Sequence, residues 1–203
     1  MQKDPLVKEI KNISKKFKKW ILIGSLPIKV GKKFRNRSIM IGPSGKIVKY
    51  YDKISMFDVK LTKKETHKES KTFKPGSKLV SVNLPWGKLG LTICFDLRFP
   101  EIYRNLSKKN LNFISVPSAF TKITGQKHWL TLLKARAIEN FCYIFAPNQT
   151  GKNTKKRETF GHSVIISPDG KILKIKKSGT GIIYKNIDPK ISLNLRKIIP
   201  SLI

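Results

Sequence analysis

Short apolar segments alternate with amphipathic helical segments along this chain of 203 residues. Apolar runs of about four to eight residues between turn residues predict buried strands, and apolar residues three or four apart predict helices that pack on a sheet. This alternation predicts an α/β fold, and the hairpin-like turns at Gly42–Gly45 and Pro168–Gly170 predict a mixed sheet. No linker or repeat interrupts the pattern, so residues 1–203 are predicted to form a single domain. The predicted helices are Asp4–Trp20, Pro100–Lys109 and Trp129–Asn140. The predicted strands are Ile21–Ile28, Arg37–Ile41, Lys46–Tyr51, Leu79–Leu84, Leu89–Cys94, Phe113–Pro117, Cys142–Pro147, Ser163–Ser167, Ile172–Ile175 and Gly181–Ile187, and Thr62–Lys78 is predicted to be a loop.

Basic residues outnumber acidic ones by 43 to 12, which gives a net charge of +31. Such an excess is found in proteins that bind nucleic acids or anionic surfaces. However, 36 of the basic residues are Lys and only 7 are Arg, and they are spread along the whole chain. Recognition of bases and phosphates favours Arg, because its guanidinium binds in a bidentate manner. We therefore expect a solvated basic surface and no specific nucleic-acid partner, with a basic nucleic-acid-binding domain as an alternative that strongly salt-dependent affinity would reveal.

The sequence also limits membrane and metal chemistry. No apolar run approaches the ~20 residues of a membrane helix. The basic amphipathic helix Asp4–Trp20 suits a membrane surface, but the strand that follows it directly favours packing, so we expect no membrane partner. Two cysteines, Cys94 and Cys142, cannot build a disulfide framework or a four-ligand zinc site. The sequence therefore predicts no metal and a reducing, cytoplasmic environment.

Cys94 stands at the end of an apolar strand, where polar residues lead into a helix. A strand-to-helix turn exposes its side chain and surrounds it with backbone N–H groups, which favour a thiolate. The alternative is that Cys94 is a small core residue, and Cys142, between aromatic and apolar neighbours, has only that interpretation. The histidines at 67, 128 and 162 show no spacing that identifies a base for a Cys–His hydrolase.

Six segments together resemble the nitrilase superfamily of carbon–nitrogen hydrolases. They are Tyr51–Val59, Gly90–Glu101, Pro117–Thr121, Gly125–Trp129, Arg136–Asn140 and Arg157–Ser163. Within the superfamily the chain is most similar to the Nit branch, which includes omega-amidases and deaminated-glutathione amidases. The resemblance implies an α-β-β-α sandwich, no metal or organic cofactor, a homodimer or higher homo-oligomer, and hydrolysis of a small carboxylate-bearing amide to acid and ammonia.

The resemblance also implies a Glu-Lys-Cys catalytic triad. Cys94 corresponds to the nucleophile that forms a thioester, and Lys53 corresponds to the triad lysine. Together with the backbone N–H of Phe95, Lys53 is expected to stabilise the tetrahedral oxyanion. Glu69 is our choice for the carboxylate that supports this lysine, in preference to Glu65. Both glutamates lie in the polar stretch that ends in Pro-Gly.

Other positions follow from the same resemblance. Asp96 and Arg98 correspond to structural and substrate-side positions after the nucleophile, and Arg136 and Glu139 are expected to be structural. The general-base glutamate of the family precedes the triad lysine, and Glu9 does not match its motif. We therefore expect the chain to be N-terminally incomplete, without the first strand and helix, and to turn over poorly because general-base catalysis contributes about 10²–10⁴-fold. The alternative is a catalytically inactive nitrilase-like module that binds a partner or ligand.

Overall fold

The computed structural model describes residues 4–62, 65–154 and 157–202, with the side chain of residue 154 excepted. Contacts divide the chain into two units, with the boundary after Val82. The boundary lies within a strand, Val80–Leu84, whose remaining residues belong to the second unit. Each unit contains a sheet and at least one helix, and the single domain inferred from the sequence stays a prediction.

The first unit combines one helix with a three-stranded antiparallel sheet of order β1-β2-β3. A small hairpin, β4–β5, and a 3₁₀ turn at Glu69–Lys71 follow. Its elements are α1 (Pro5–Phe17), β1 (Ile21–Val30), β2 (Lys33–Ile41), β3 (Ile47–Asp52), β4 (Asp58–Lys60) and β5 (Thr66–Lys68). Between β2 and β3 the register pairs Arg37 with Asp52, so the end of β3 lies beside the middle of β2.

Helix α1 packs one face on this sheet. Asp4 caps its first turn by accepting the N–H of Val7 at 3.2 Å, and Pro5 suits the first helical position because it needs no hydrogen-bond partner there. Val7 is fully buried and forms a core with Ile28 and Ile39 of the sheet. The predicted packing of this basic helix is therefore confirmed.

The second unit is built on a sheet of order β13-β12-β9-β8-β7-β6. Strands β7, β8 and β9 run parallel, whereas β12 pairs antiparallel with both β9 and β13, so the predicted mixed α/β sheet is confirmed. The strands are β6 (Val80–Leu84), β7 (Gly87–Leu91), β8 (Phe113–Ser115), β9 (Tyr143–Ala146), the separate hairpin β10 (Thr150–Thr154) and β11 (Arg157–Phe160), β12 (Ser163–Ile166) and β13 (Ile172–Lys176). The helices are α2 (Pro100–Ser107), α3 (Lys122–Asn140) and α4 (Lys190–Ile198), and a 3₁₀ turn spans Cys94–Arg98.

Four sequence-based assignments need correction. The strand predicted at Gly181–Ile187 is wrong: the segment has no regular secondary structure. Gly179 before it and Gly181 at its start have φ of 74° and 153°, which breaks the extended backbone. Helix α4 was not predicted. It is anchored by Ser192, whose buried hydroxyl donates to the carbonyl of Phe141. Helix α3 begins seven residues earlier than predicted; its first two turns carry mostly polar side chains, so the apolar periodicity did not reveal them. The predicted loop Thr62–Lys78 contains β5 and a 3₁₀ turn.

Candidate active site

Cys94 occupies a strained turn between β7 and α2. Ile93 has extended backbone (φ −137°, ψ 119°), and Cys94 then takes a φ of 48°. Residues other than glycine rarely adopt this left-handed backbone conformation, and such strain is found most often at functional sites. Cys94 is partly exposed, in contrast to the apolar residues that precede it on the strand. The sequence-predicted strand-to-helix turn therefore presents this sulfur at the end of the strand.

The turn is held from both sides by hydrogen bonds. The N–H of Cys94 donates to the carbonyl of Pro117 at 3.0 Å. Asp96 is fully buried, and its Oδ2 accepts the N–H of Ile93 at 2.9 Å. The N–H of Asp96 in turn donates to the carbonyl of Ile93 at 3.1 Å. Asp96 thus lies inside the turn and fixes the backbone on either side of the sulfur.

Helix α3 holds the other end of the same turn through Arg136. This guanidinium is only 4% exposed, and its Nε and Nη2 donate to the carbonyl of Leu97 at 3.1 and 3.0 Å. Its Nη1 donates to Glu139 at 3.0 Å. A buried cation needs this degree of hydrogen bonding to compensate for lost hydration. Arg136 and Glu139 therefore have positions that suit the structural role expected of them.

Arg98 brings a positive charge to the site. Its guanidinium is half-buried, 5.2 Å from the ring centre of Phe120 and 5.9 Å from that of Phe95. Its Nη2 lies 3.3 Å from Nδ1 of His128 on α3. Burial lowers the pKa of Arg98, while its electrostatic attraction to Cys94 acts in the opposite direction.

The first unit contains a second cluster, centred on Lys53 directly after β3. Lys53 is 2% exposed, and its Nζ lies 2.5 Å from Oε2 of Glu69. The N–H of Phe57 donates to the same oxygen at 2.7 Å, and Nδ2 of Asn36 donates to Oε1 at 3.1 Å. Glu65 instead contacts His67, with 3.0 Å between Oε1 and Nε2. The structure therefore puts Glu69, and not Glu65, against Lys53.

Gly76 allows the loop after this cluster to close on the end of β3. Its N–H donates to the carbonyl of Lys53 at 2.8 Å. A Cβ at this position would lie 2.2 Å from the carbonyl oxygen of Asp52, so only glycine fits without backbone movement. The Pro-Gly pair therefore fixes the main chain from which the Lys53 side chain extends.

Asn36 is the member of this cluster that sequence reasoning missed. The pairing of Arg37 with Asp52 continues to the next position, where the N–H of Lys53 donates to the carbonyl of Asn36 at 2.9 Å. A sequence-based prediction of the β2–β3 register would have identified Asn36 as the neighbour of Lys53.

Cys142 differs from Cys94 in its burial and in the groups that surround its sulfur. It is fully buried, its Sγ donates to the carbonyls of Asn140 at 3.2 Å and Leu111 at 3.4 Å, and Arg196 contacts it from α4. Burial raises the pKa of the Cys142 thiol to about 11. It is a structural residue, as predicted. Among the described residues, no three His, Cys, Asp or Glu side chains come together in a way that could hold a metal ion.

The sequence profile of the family described as carbon-nitrogen hydrolase matches residues 2–193. The chain belongs to the carbon–nitrogen hydrolase family. This carbon–nitrogen hydrolase is 40% identical to a deaminated glutathione amidase from Synechocystis over 201 residues, which are 96% of this chain and 74% of that protein. It is 32% identical to an omega-amidase from Saccharomyces cerevisiae over 196 residues, which are 96% of this chain and 67% of that protein.

Solved structures agree with this membership. The crystal structure of the Caenorhabditis elegans NitFhit protein superposes with a TM-score of 0.92 at 33% identity, over 98% of this chain and 49% of that chain. The carbon–nitrogen hydrolase chain thus spans about half the length of that relative. The resemblance to the Nit-like branch of the nitrilase superfamily is confirmed. In the ranges that the structure describes, no helix has the length and apolarity to cross a membrane.

Proposed function

We propose that this carbon–nitrogen hydrolase is an amidase that converts a small carboxylate-bearing amide to the acid and ammonia through a thioester on Cys94. The observation that carries the proposal is the left-handed backbone of the partly exposed Cys94, with φ of 48°, in the turn that follows a strand. Strained backbone of this kind clusters at active sites, and an accessible thiol is one of the groups that act as nucleophiles. Membership of the family supports the same chemistry.

The reaction has two halves. In the first, Sγ of Cys94 bonds to the amide carbonyl carbon, the carbon–nitrogen bond breaks, and the nitrogen takes the thiol proton and leaves as ammonia. In the second, a water oxygen bonds to the thioester carbon, the carbon–sulfur bond breaks, and the thiol regains a proton as the acid departs. We assign the general base of this reaction to no described residue: Glu9, the only glutamate that precedes Lys53, is an exposed residue of α1. Turnover is therefore expected to be slow.

Both halves pass through a tetrahedral oxyanion. We assign its stabilisation to the Lys53 ammonium and the backbone N–H of Phe95, following the family resemblance. A preorganised donor of this kind contributes about 10²–10³-fold to kcat. The contact between Lys53 and Glu69 supports the proposal, since it fixes a buried ammonium that would otherwise rotate freely. Asp96 then acts by holding the nucleophile turn, through its bond to the N–H of Ile93.

The proposed substrate class rests on Arg98. A guanidinium pairs with a carboxylate through two parallel hydrogen bonds, and partial burial strengthens that pairing. Arg98 is half-buried, and its guanidinium lies 5.2 and 5.9 Å from the ring centres of Phe120 and Phe95. Amides that carry a carboxylate are therefore the preferred substrates of this proposal. Omega-amidase and deaminated glutathione amidase activities are both within that class.

Ammonia release tests the proposal. Purified protein is assayed with a panel of small amides, each carboxylate-bearing amide paired with its neutral methyl ester, next to Cys94→Ala and the matched control Cys142→Ala. We expect release by the wild type and by the control, and none by Cys94→Ala. Arg98→Met is expected to raise KM for the carboxylate-bearing amides and to leave KM for the neutral esters unchanged.

Release that persists in Cys94→Ala would overturn the thioester mechanism. Absence of release from every amide would reject amidase activity for this chain and favour an inactive member of the family, either one impaired by the missing general base or a module that binds a ligand or partner. A KM that rises equally for charged and neutral amides in Arg98→Met would reject the substrate class alone.

The larger architecture belongs to the same proposal. The α-β-β-α sandwich is what the family resemblance implies for the sheets and helices described above.

A homodimer or higher oligomer is supported by Ile182 and Tyr184, which are 90% and 82% exposed and lie two positions apart, since grouped exposed apolar side chains mark interaction surfaces. Sedimentation equilibrium of the wild type and of Ile182→Asp tests the oligomer. A monomeric wild type would reject it.

A further inference from the structure

We propose that Asn36 is a positioning residue, which acts through Glu69 to orient the Lys53 ammonium for oxyanion stabilisation. The inference rests on the role proposed above for Lys53 and adds to it a residue that does not itself reach the reacting atoms.

Two of the groups described above that donate to the Glu69 carboxylate reach the same oxygen. Lys53 Nζ lies 2.5 Å from Oε2, and the N–H of Phe57 donates to Oε2 at 2.7 Å. The terminal torsion of a glutamate is broad, so contacts to one oxygen leave the carboxylate plane free to turn about it. Asn36 Nδ2 donates to the other oxygen, Oε1, at 3.1 Å. Asn36 thereby fixes the plane of the carboxylate, and with it the direction from which Lys53 is held.

Asn36 is also bonded to Lys53 itself. Its carbonyl accepts the N–H of Lys53 at 2.9 Å, as the register of Arg37 with Asp52 requires. One residue therefore connects to both members of the ion pair, by its main chain to the lysine and by its side chain to the glutamate. Displacement of a catalytic group by about 1 Å can lower a rate by about 10²-fold, so a rigid connection of this kind bears directly on kcat.

A neutral amide is the right group for this position. It donates to Oε1 of Glu69, whose other oxygen binds Lys53. Arg37 and Arg35 pair with Asp52, at 2.6 and 3.9 Å. A carboxyl group in place of the amide would face Oε1 of Glu69. When protonated it would donate a hydrogen bond, as the amide does. When ionised it would repel Glu69 and compete for Lys53.

Three variants test the inference. Asn36→Ala removes the donor, Asn36→Asp replaces it with a group that donates only when protonated, and Asn12→Asp makes the same chemical change at an exposed position of α1. With the best amide substrate, we expect Asn36→Ala to lower kcat by about tenfold, a typical effect of removing an orienting partner, with KM changed less than about twofold. In Asn36→Asp the new carboxyl ionises as the pH rises and then repels Glu69 and competes for Lys53. We therefore expect its rate relative to wild type to fall steadily from about pH 5 to about pH 8.5. Asn12→Asp should match the wild type at every pH.

A merely structural role for Asn36 would give a different result: a relative rate of Asn36→Asp that is the same at every pH, or a loss in KM as large as that in kcat. Either result overturns the inference, as does wild-type activity in Asn36→Ala.

A second measurement does not depend on turnover. The thermal midpoint of Asn36→Asp relative to wild type should fall as the pH rises, and this fall should disappear in the Glu69→Gln background. Hydrolysis by the wild type without this pH-dependent coupling would overturn the inference and leave the proposed function standing. Coupling in a protein that hydrolyses no amide would overturn the proposed function, and with it the catalytic purpose of Asn36.

Discussion

The ring of Phe160 lies where a Cβ on Gly125 would have to be placed. The Cβ and Cγ of Phe160 are both 2.4 Å from that position. Gly125 is in the first turns of α3, and the N–H of Phe160 donates to the carbonyl of Phe120 at 2.9 Å, directly before the helix. Strand β11 therefore packs on the start of α3 only because residue 125 has no side chain.

Gly125→Ala should destabilise the protein, although alanine is the better helix former. Overpacking of this kind lowers the free energy of unfolding by about 1–3 kcal/mol, which exceeds the gain in helix propensity of about 1 kcal/mol. Urea unfolding followed by circular dichroism measures the difference. Gln126→Ala, at the next and exposed position of the same helix, is the control and should change stability by less than about 0.5 kcal/mol. An increase in stability for Gly125→Ala would show that the ring moves aside freely.

The Lys53–Glu69 pair predicts strong coupling between two substitutions. Glu69→Ala leaves a buried ammonium without its counter-charge and should lower the free energy of unfolding by about 3–5 kcal/mol. The double variant Lys53→Met with Glu69→Ala should recover much of this loss, because it buries no charge. The exposed pair of Lys122 and Glu158, treated in the same way, should change stability by less than about 1 kcal/mol. Additive losses at Lys53 and Glu69 in denaturant titrations would contradict the coupling.

The two cysteines should differ sharply towards alkylating reagents. With a pKa of about 11, the Cys142 thiol is ionised in only about one molecule in 10³ at pH 8, and it is also buried. Iodoacetamide at that pH should therefore modify Cys94 alone in the folded protein, as mass spectrometry of tryptic peptides would show. Both cysteines should react in urea. Equal labelling in the folded state would count against an activated thiol at Cys94.

The turn between β12 and β13 predicts a contribution to acid stability. The Ser167 hydroxyl donates to Oδ1 of Asp169 and holds the pKa of this carboxyl below its ordinary value of 3.8. A carboxyl whose pKa is lower in the folded state stabilises the protein above the unfolded pKa, and the effect is lost as the pH falls through the folded value. Asp169→Asn should therefore be less stable than the wild type near neutral pH, and the difference should shrink below about pH 3.8. Thermal midpoints measured from pH 7 to acid test this, and a constant difference would refute it.

Local and non-local features differ in how far the sequence reveals them. The turn at Cys94 could be predicted because an apolar strand, a polar break and Pro100 follow each other within a few residues. The choice between Glu65 and Glu69 depends on the β4–β5 hairpin, whose register pairs Val59 with His67. Nothing in the local sequence determines that pairing.

Asn36 and α4 were missed for the same physical reason. Asn36 becomes part of a site only when β2 pairs with β3 in one register. Helix α4 is a nine-residue segment, too short to be stable alone, and its place depends on Ser192 and Arg196 reaching carbonyls far away in sequence. Both depend on tertiary contacts, which the periodicity of a sequence does not contain.

Cys94→Gly should be more stable than the wild type. Glycine adopts the left-handed conformation without the penalty of about 1–2 kcal/mol that a Cβ brings, and this exceeds the loss of about 0.5–1 kcal/mol from its greater freedom when unfolded. Cys94→Ala keeps the Cβ and should show no such gain, whereas Cys94→Val should be less stable than either. Differential scanning calorimetry of the three variants measures these differences, and equal midpoints for the glycine and alanine variants would argue against backbone strain at residue 94.

The left-handed backbone at Cys94 also has a genetic consequence. A cysteine codon changes to a serine or a glycine codon by one nucleotide, and neither residue is β-branched, so each fits the turn. A lineage with no further need for a reactive thiol could therefore lose it in a single step and keep a folded protein. At this position a single nucleotide change can therefore abolish the catalytic chemistry while the fold remains.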